Sequence, residues 1–364
     1  MLDLDQLLRF AVERGASDVH IKVGSPPFIR IDGRLERTSH SSVSPVETER
    51  IAFAIMPKQR AEEFIGSSEA DFAYSVSGLG RFRVNVLRQR GSVGLVLRRV
   101  QSDIPSFEEL GLPPVVQRLA ENPRGLVLVT GPTGSGKTTT LASMIDYINE
   151  AMSRHIVTIE DPIEVLHSDK NSIVNQREVG TDTHDFYSAL KRVLRQDPDV
   201  ILVGEMRDPD TVRTALAAAE TGHLVFSTLH TISATDSINR IIDFFPPHEQ
   251  RQTRMSLAAS LRGIVSQRLV EKRGGGRVPA VEVLVATGRV FDRIVNAEET
   301  HEIEEIIREG EYYGMQTFDQ SLLELYKIGT IELREALATS TSPHDLRLMI
   351  EQHTMEQASV GGAS

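Results

Sequence analysis

LVLVTGPTGSGKTTT, residues 126–140, holds the reading that decides the fold. Within it, GPTGSGKT (131–138) fits G-x-x-x-x-G-K-[ST] at every fixed position. Gly131, Gly134 and Gly136 let the backbone curl until its N–H groups face inward around phosphate oxygens. Lys137 adds a point charge toward the β- and γ-phosphates, and Thr138 offers a hydroxyl to Mg²⁺. The helix that follows points its positive N-terminal end at the same anion. The ATP-binding set read from this loop is Gly131, Pro132, Thr133, Gly134, Ser135, Gly136, Lys137, Thr138 and Thr139. A glycine-rich turn could match by accident, but this one lies between an apolar run and a helix, the context the motif demands. A dinucleotide-binding loop is rejected, because Thr139 stands where its third glycine belongs.

Outward from the loop, strands alternate with helices, the signature of a parallel sheet. LVLVT (126–130) is a short apolar run and hence a buried strand. HIVTIED (155–161), VILVGE (200–205) and HLVFSTLH (223–230) read as further strands. Helices are predicted from Lys137 to about Ala151 and from Pro209 to Glu220, the second with proline at its start. After about Thr300 the chain turns helical, and residues 353–364 read as a disordered tail.

VILVGE ends in Gly204-Glu205 rather than in aspartate. A carboxylate at this strand end lies beside the phosphate loop in such folds, so Glu205 is read as the group that orients and deprotonates the attacking water. A structural acid paired with Arg207 is the alternative. The missing aspartate leaves Mg²⁺ ligation incomplete. TIEDPIE (158–164) supplies Glu160 and Asp161 as metal ligands through water, beside Thr138, and Glu164 as a reserve base. A solvated polar turn would give the same composition. His223 and His230 bracket a buried strand; His230 is read as a γ-phosphate sensor, and His223 stays open between that role and a structural one.

The first hundred residues read as a small α+β domain. A helix covers about Leu4 to Arg14 and ends at Gly15. ASDVHIKV (16–23) is a strand, and FIRIDGRLER (28–37) a hairpin around Asp32-Gly33. Ser44-Pro45 opens a second helix running to about Phe64. RFRVNVLRQR (81–90) and GSVGLVLRRV (91–100) are two more strands. Pro105, Gly111, Pro113 and Pro114 then mark a boundary. The expected domains are 1–104, a linker at 105–114 that serves as the hinge, and an ATPase domain at 115–352.

The 364 residues suffice for about two domains. A net charge of −11 argues against a general nucleic-acid binder, which wants a basic face. With no cysteine, neither a disulfide framework nor a cysteine zinc site can form. No window approaches the roughly 20 apolar residues of a membrane span, and the N-terminal helix lacks the basic start of a signal peptide. Any membrane association is expected to go through a partner.

Five stretches in order resemble the motifs of the secretion-ATPase superfamily: ASDVHI (16–21), GPTGSGKTTT (131–140), TIEDPIE (158–164), DPDVILVGEMRD (197–208) and TGHLVFSTLHT (221–231). The resemblance is strongest to its type IV pilus retraction branch and runs from about residue 3 to about 350. It implies a PAS-like first domain, a RecA-like P-loop ATPase domain with a helical C-terminal region, ATP and Mg²⁺, and a homohexamer with ATP at subunit boundaries. It further implies a cytoplasmic motor of twitching motility at the inner face of the membrane. Its partners would be an inner-membrane platform protein and a second pilus ATPase. In such rings first-domain arginines reach the nucleotide. By match these are Arg81 and Arg83, which alternate onto one face of their strand; a solvated basic sheet face is the alternative. Arg195 and Arg207 are weaker candidates.

Pilus-extension and secretion ATPases carry a paired-CxxC loop after a QRL segment; here SQRLV (266–270) is followed by EKRGGGRVPAVE (271–282). The retraction signature near AIRNLIRE is altered, however. The corresponding VFDRIVNAEETHEIEEIIREG (290–310) keeps only IIREG, with GMQTFDQSL (314–322) after it. An assembly or secretion motor, and a nonmotor regulator of a partner ATPase, are therefore the rival readings.

Overall fold

The computed structural model describes residues 2–31 and 33–361, with side chains to residue 353. The chain divides into two compact units, Met1–Asp103 with Glu164–Leu166, and Ile104–Ile163 with His167–Ser364.

The first unit is built on strands β1 (Asp18–Ile21), β2 (Phe28–Ile31), β3 (Arg34–Arg37), β4 (Glu69–Val76), β5 (Gly80–Gln89) and β6 (Ser92–Arg99). They form one antiparallel sheet in the order β3-β2-β1-β6-β5-β4. Strict alternation decides its faces. Phe82, Val84 and Val86 on β5 pack inward with Leu95 and Leu97 of β6 against Leu7, Leu8 and Phe64 of the helices. Arg81 and Arg83 fall on the opposite face. The hairpin between β2 and β3 has Asp32 outside the described residues. The sequence predicts one helix from Pro45 to about Phe64; the structure has two, Pro45–Ile55 and Lys58–Ser67. Pro57 is the reason: the residue before a proline is driven out of the helical region, and Met56 is extended at φ −77°, ψ 128°. Strand β4, EADFAYSV, carries no turn signal of its own and is absent from the sequence reading.

The second unit contains β7 (Gly125–Thr130), β8 (His155–Glu160), β9 (Ile173–Glu178), β10 (Val200–Val203), β11 (Leu224–Leu229), β12 (Leu261–Glu271) and β13 (Arg277–Val285). The order is β13-β12-β7-β11-β10-β8-β9, parallel throughout except for the β12–β13 pair. Helices Pro114–Ala120 and Lys137–Ala151 bury one face, through Val116, Met144 and Ile148 against Val127 and Phe226. Helices Phe186–Val193, Pro209–Glu220, Ala234–Asp243 and Pro247–Ser260 bury the other. Every residue of β7 is buried, as its unbroken apolar run requires. From β7 the chain crosses over β11 and β10 before pairing as β8. Such a switch opens a crevice beyond the carboxyl ends of the strands, where ligands of open α/β sheets bind.

The expected linker at 105–114 is folded onto the second unit. Ser106 closes a capping box on the short helix Phe107–Leu110, and the Ser143 hydroxyl donates to the Pro105 carbonyl at 2.7 Å. Phe107 and Leu110 pack on the core beside Tyr147. The expected tail also differs: the helix Pro343–Gly361 continues past residue 353, and residues 362–364 lie outside the described ones. No described helix is long and apolar enough to cross a membrane.

Candidate active site

The phosphate loop leaves β7 and enters the helix Lys137–Ala151. Gly131, Gly134 and Gly136 have φ of +143°, +79° and +93°, values that side chains other than glycine rarely adopt. At Gly131 a Cβ would lie 2.5 Å from the Gln267 carbonyl oxygen of β12. Lys137 is buried and donates through Nζ to the Gly131 and Pro132 carbonyls at 2.7 and 3.0 Å. The Ser135 hydroxyl is buried within the loop with no hydrogen-bond partner. Pro132, Thr133, Gly134 and Thr138 are exposed, and Thr139 is half-buried. A cationic, glycine-lined turn holding a buried unpaired hydroxyl at a helix N-terminus fits an anionic phosphate chain.

Glu205 follows the carboxyl end of β10. Its side chain is 14% exposed; Oε1 is ion-paired with Arg207, and Oε2 lies 3.5 Å from His230 Nε2. Pairing with Glu205 holds the Arg207 guanidinium above its ordinary value, against the opposing effect of burial. Gly204, just before Glu205, is closely packed. A Cβ at position 204 would sit 3.2 Å from the Ile159 carbonyl oxygen and 3.4 Å from Glu160 Cα. A side chain there would have to push its neighbours aside by a few tenths of an ångström, and the first carboxylate stands one residue further on. The Thr228 hydroxyl donates to the Gly204 carbonyl at 2.6 Å and ties the ends of β10 and β11 together. Glu205, Arg207, His230, Thr231 and Arg240 line a cleft of about 490 Å³.

Glu160 ends β8, the strand paired with β10. Its Oε1 accepts from the Thr158 hydroxyl at 2.6 Å and from Gln176 Nε2 at 3.1 Å. Buried Glu178 accepts from the Ile163 N–H at 3.2 Å and so fixes the turn after Asp161, which is exposed. No cluster of three His, Cys, Asp or Glu side chains among the described residues converges on a metal-sized point. The carboxylates of Glu160 and Asp161 and the exposed Thr138 hydroxyl are hard oxygen donors, the kind that Mg²⁺ takes.

Other sequence candidates fall elsewhere. His223 precedes β11, and its Nδ1 meets the Ala218 carbonyl at 3.0 Å. It lies at the amino edge of the sheet, a strand's length from His230, because successive parallel strands present the same end to the same edge. Arg195, exposed after the helix Phe186–Val193, precedes the amino end of β10 and shares that far edge. Glu164 belongs to the first unit, where Val165 bridges to Gln101. In that unit Arg83 pairs across strands with Arg98, and Arg98 Nε donates to buried Asp18 at 2.8 Å. Arg81 lies two residues along β5 on the same face. Sequence reasoning missed Gln176, Glu178 and Arg240. Gln176 and Glu178 sit on an edge strand too polar to read as one, and Arg240 lies on an ordinary amphipathic helix.

Comparison with known proteins agrees with this geometry. The Type II/IV secretion system protein family matches residues 2–275. The type IV pilus retractation ATPase PilT of Pseudomonas aeruginosa is 44% identical over 344 residues, covering 94% of this chain and all of that protein. The type IV pilus ATPase PilU of the same organism is 44% identical over 351 residues, covering 96% of this chain and 92% of PilU. A crystal structure of the pilus retraction motor PilT with bound ADP superposes with a TM-score of 0.87 at 48% identity, covering 95% of this chain and 99% of that one. With both sheets, the phosphate loop and nearly its whole length accounted for in this way, the chain belongs to the Type II/IV secretion system protein family.

Proposed function

We propose that this chain is an ATP-hydrolysing motor that drives retraction of a type IV pilus, working as a homohexamer on the cytoplasmic side of the membrane. The observation that carries the chemistry is Glu205. It is a largely buried carboxylate at the strand end beside a complete phosphate loop, held between Arg207 and His230. Its relatives PilT and PilU are pilus ATPases by name, and they match over nearly the full chain.

In this reading Gly131–Thr138 wraps the phosphate chain, and Lys137 exchanges its loop carbonyls for phosphate oxygens. Thr138 directly, and Glu160 and Asp161 through water, would hold Mg²⁺, which would supply positive charge to the phosphate oxygens. Glu205 accepts a proton from the water that attacks the γ-phosphorus, as the bond to the β-bridging oxygen breaks. His230, 3.5 Å from that carboxylate, would act as the γ-phosphate sensor. Arg81 and Arg83, from the first unit of a neighbouring copy, would supply positive charge to the transferring phosphoryl. Attachment to the membrane would run through a platform protein, and PilU-like relatives suggest a second ATPase as partner.

The cysteine-free turn between β12 and β13 favours retraction over extension. Deleting the gene separates the two. Loss of a retraction motor leaves pili on the surface that no longer shorten. Loss of an extension motor leaves a bald cell, and that result would transfer the chain to the assembly branch.

A further inference from the structure

Glu282, on β13, is a buried carboxylate that the proposed chemistry does not use; it is 6% exposed. Its Oε1 accepts the Ala234 N–H at 2.7 Å. Ala234 opens the helix Ala234–Asp243, directly after the loop 230–233 that begins with His230. That short loop is therefore anchored twice, by β11 before it and by Glu282 after it. The Thr231 hydroxyl of the loop lies 2.6 Å from that of Ser237 on the helix, and Ser237 donates to the Ser233 carbonyl at 2.6 Å. Four residues, 230–233, join β11 to the helix, and the first of them, His230, has its ring 3.5 Å from Glu205.

We propose that Glu282 is a positioning residue for ATP hydrolysis: as a carboxylate it pins the start of the helix Ala234–Asp243 and, through the loop 230–233, sets His230 against Glu205. The inference rests on the ATPase reading above. An anion is the favoured partner for a helix N-terminus, and a hydrogen bond to an ionised acceptor is roughly twice as strong as a neutral one. The pinning strength therefore follows the charge on Glu282.

That charge is poised to change. Burial pushes the Glu282 carboxyl up to about 7; the Ala234 N–H opposes the shift, nearby Glu304 and Asp236 add to it, and Arg268 on β12 subtracts. The cavity beside Glu282, about 630 Å³, is also faced by His301, Arg308, Asp319 and Asp345. Three of these charged groups are engaged elsewhere. Arg308 pairs with Glu304 at 3.4 Å, Asp319 accepts from the Thr341 and Ser342 amides, and Arg268 stacks on Phe318 and donates to the Thr339 carbonyl. Glu282 is ionised above about 7 and protonated below it. As pH falls through that value the bond to Ala234 loses its charge, and the loop carrying His230 loosens.

The test is the pH profile of the full-length protein and of Glu282→Gln, whose amide oxygen keeps a neutral acceptor in place. Wild-type kcat should step down about fivefold between pH 8 and 6, the size expected when an ionic hydrogen bond becomes a neutral one. Glu282→Gln should sit on the low plateau with no step near neutrality, and Glu282→Ala should fall further. Affinity for a non-hydrolysable ATP analogue should be unchanged in both, because the phosphate loop is not on this path. Hydrogen exchange, corrected for its intrinsic pH dependence, should quicken within residues 231–237 of wild type at pH 6 and be equally fast at both pH values in Glu282→Gln. A Glu282→Gln profile that keeps the wild-type step overturns the proposal, whatever its absolute rate. A wild type that hydrolyses no ATP refutes the ATPase reading instead. The exchange data then decide alone, and identical pH behaviour of residues 231–237 in both proteins overturns the pinning role.

Discussion

Alanine at position 131 should damage the phosphate loop before any nucleotide arrives, and by more than alanine at position 134. Gly131 has φ +143°, and a Cβ there would lie 2.5 Å from the Gln267 carbonyl oxygen and 2.6 Å from Ser135 Oγ. Gln267 is interior to β12, in register with Val281, so moving its backbone disturbs a central strand. The disallowed backbone costs about 1–3 kcal/mol. Relieving the overlap adds about 1–3 kcal/mol more. Gly134 has φ +79°, and a Cβ there would meet nothing within 4 Å, so Gly134→Ala carries the backbone cost alone. The assay is thermal unfolding of the nucleotide-free protein. At roughly 2–4 °C per kcal/mol for a unit of this size, the overlap alone should put the Gly131→Ala midpoint about 2–12 °C below that of Gly134→Ala. Equal midpoints, or Gly134→Ala the less stable, would refute the claim that β12 presses on the loop.

Lys137→Ala should abolish tight ATP binding, since it removes the ammonium that the loop holds at its centre; unchanged affinity by calorimetry would refute the phosphate-site assignment. Mixing Arg81→Ala/Arg83→Ala subunits with Glu205→Gln subunits, each nearly inactive alone, should restore hydrolysis at boundaries where an intact Glu205 meets intact arginines, because a trans arginine is worth about 10³–10⁵ in rate. Mixed rings as inactive as their parents would exclude trans action. For Asp18, burial alone would raise the carboxyl, but the hydrogen bonds from Arg98 and Ser17 outweigh it and hold the group below its ordinary 3.8. Its folded value lies below its unfolded one, so it stabilises above 3.8 and that stability is lost as acid titrates the folded form. Asp18→Asn should therefore be less stable than wild type at neutral pH, with the gap closing in acid unfolding experiments below that value.

The parts of the second unit that carry chemistry were legible because each is announced by a period or a motif. LVLVT, HIVTIE, VILV and LVFSTL are buried parallel strands, and unbroken apolar runs are how such strands read. The helix Pro209–Glu220 announces itself by its proline, and the phosphate loop by its glycines. Strands β12 and β13 escaped for the opposite reason. The helix Pro247–Ser260 passes into β12 at Leu261 with no turn residue between them, so no local signal marks the change of period. Strand β9 alternates with Asn175, Gln176 and Arg177 on an edge and looks like loop. Long-range contacts were illegible altogether. Nothing in VPAVEVL marks Glu282 as the acceptor for Ala234, and nothing in VILVGE shows how closely Ile159 packs on position 204. His223 stayed open because a strand flanked by two histidines looks symmetrical in sequence, whereas the fold sets the two at opposite ends of β11.

The central claim is that Glu205 activates water beside a phosphate loop that binds ATP without it. Turnover of Mg-ATP by Glu205→Gln, measured with the affinity for ATP on the same preparation, tests it most directly. Binding should stay close to wild type while turnover falls at least ~10²-fold, typical for removing a general base. Near-wild-type hydrolysis in that variant would contradict the claim and move the base to Glu160, at the end of the neighbouring strand β8.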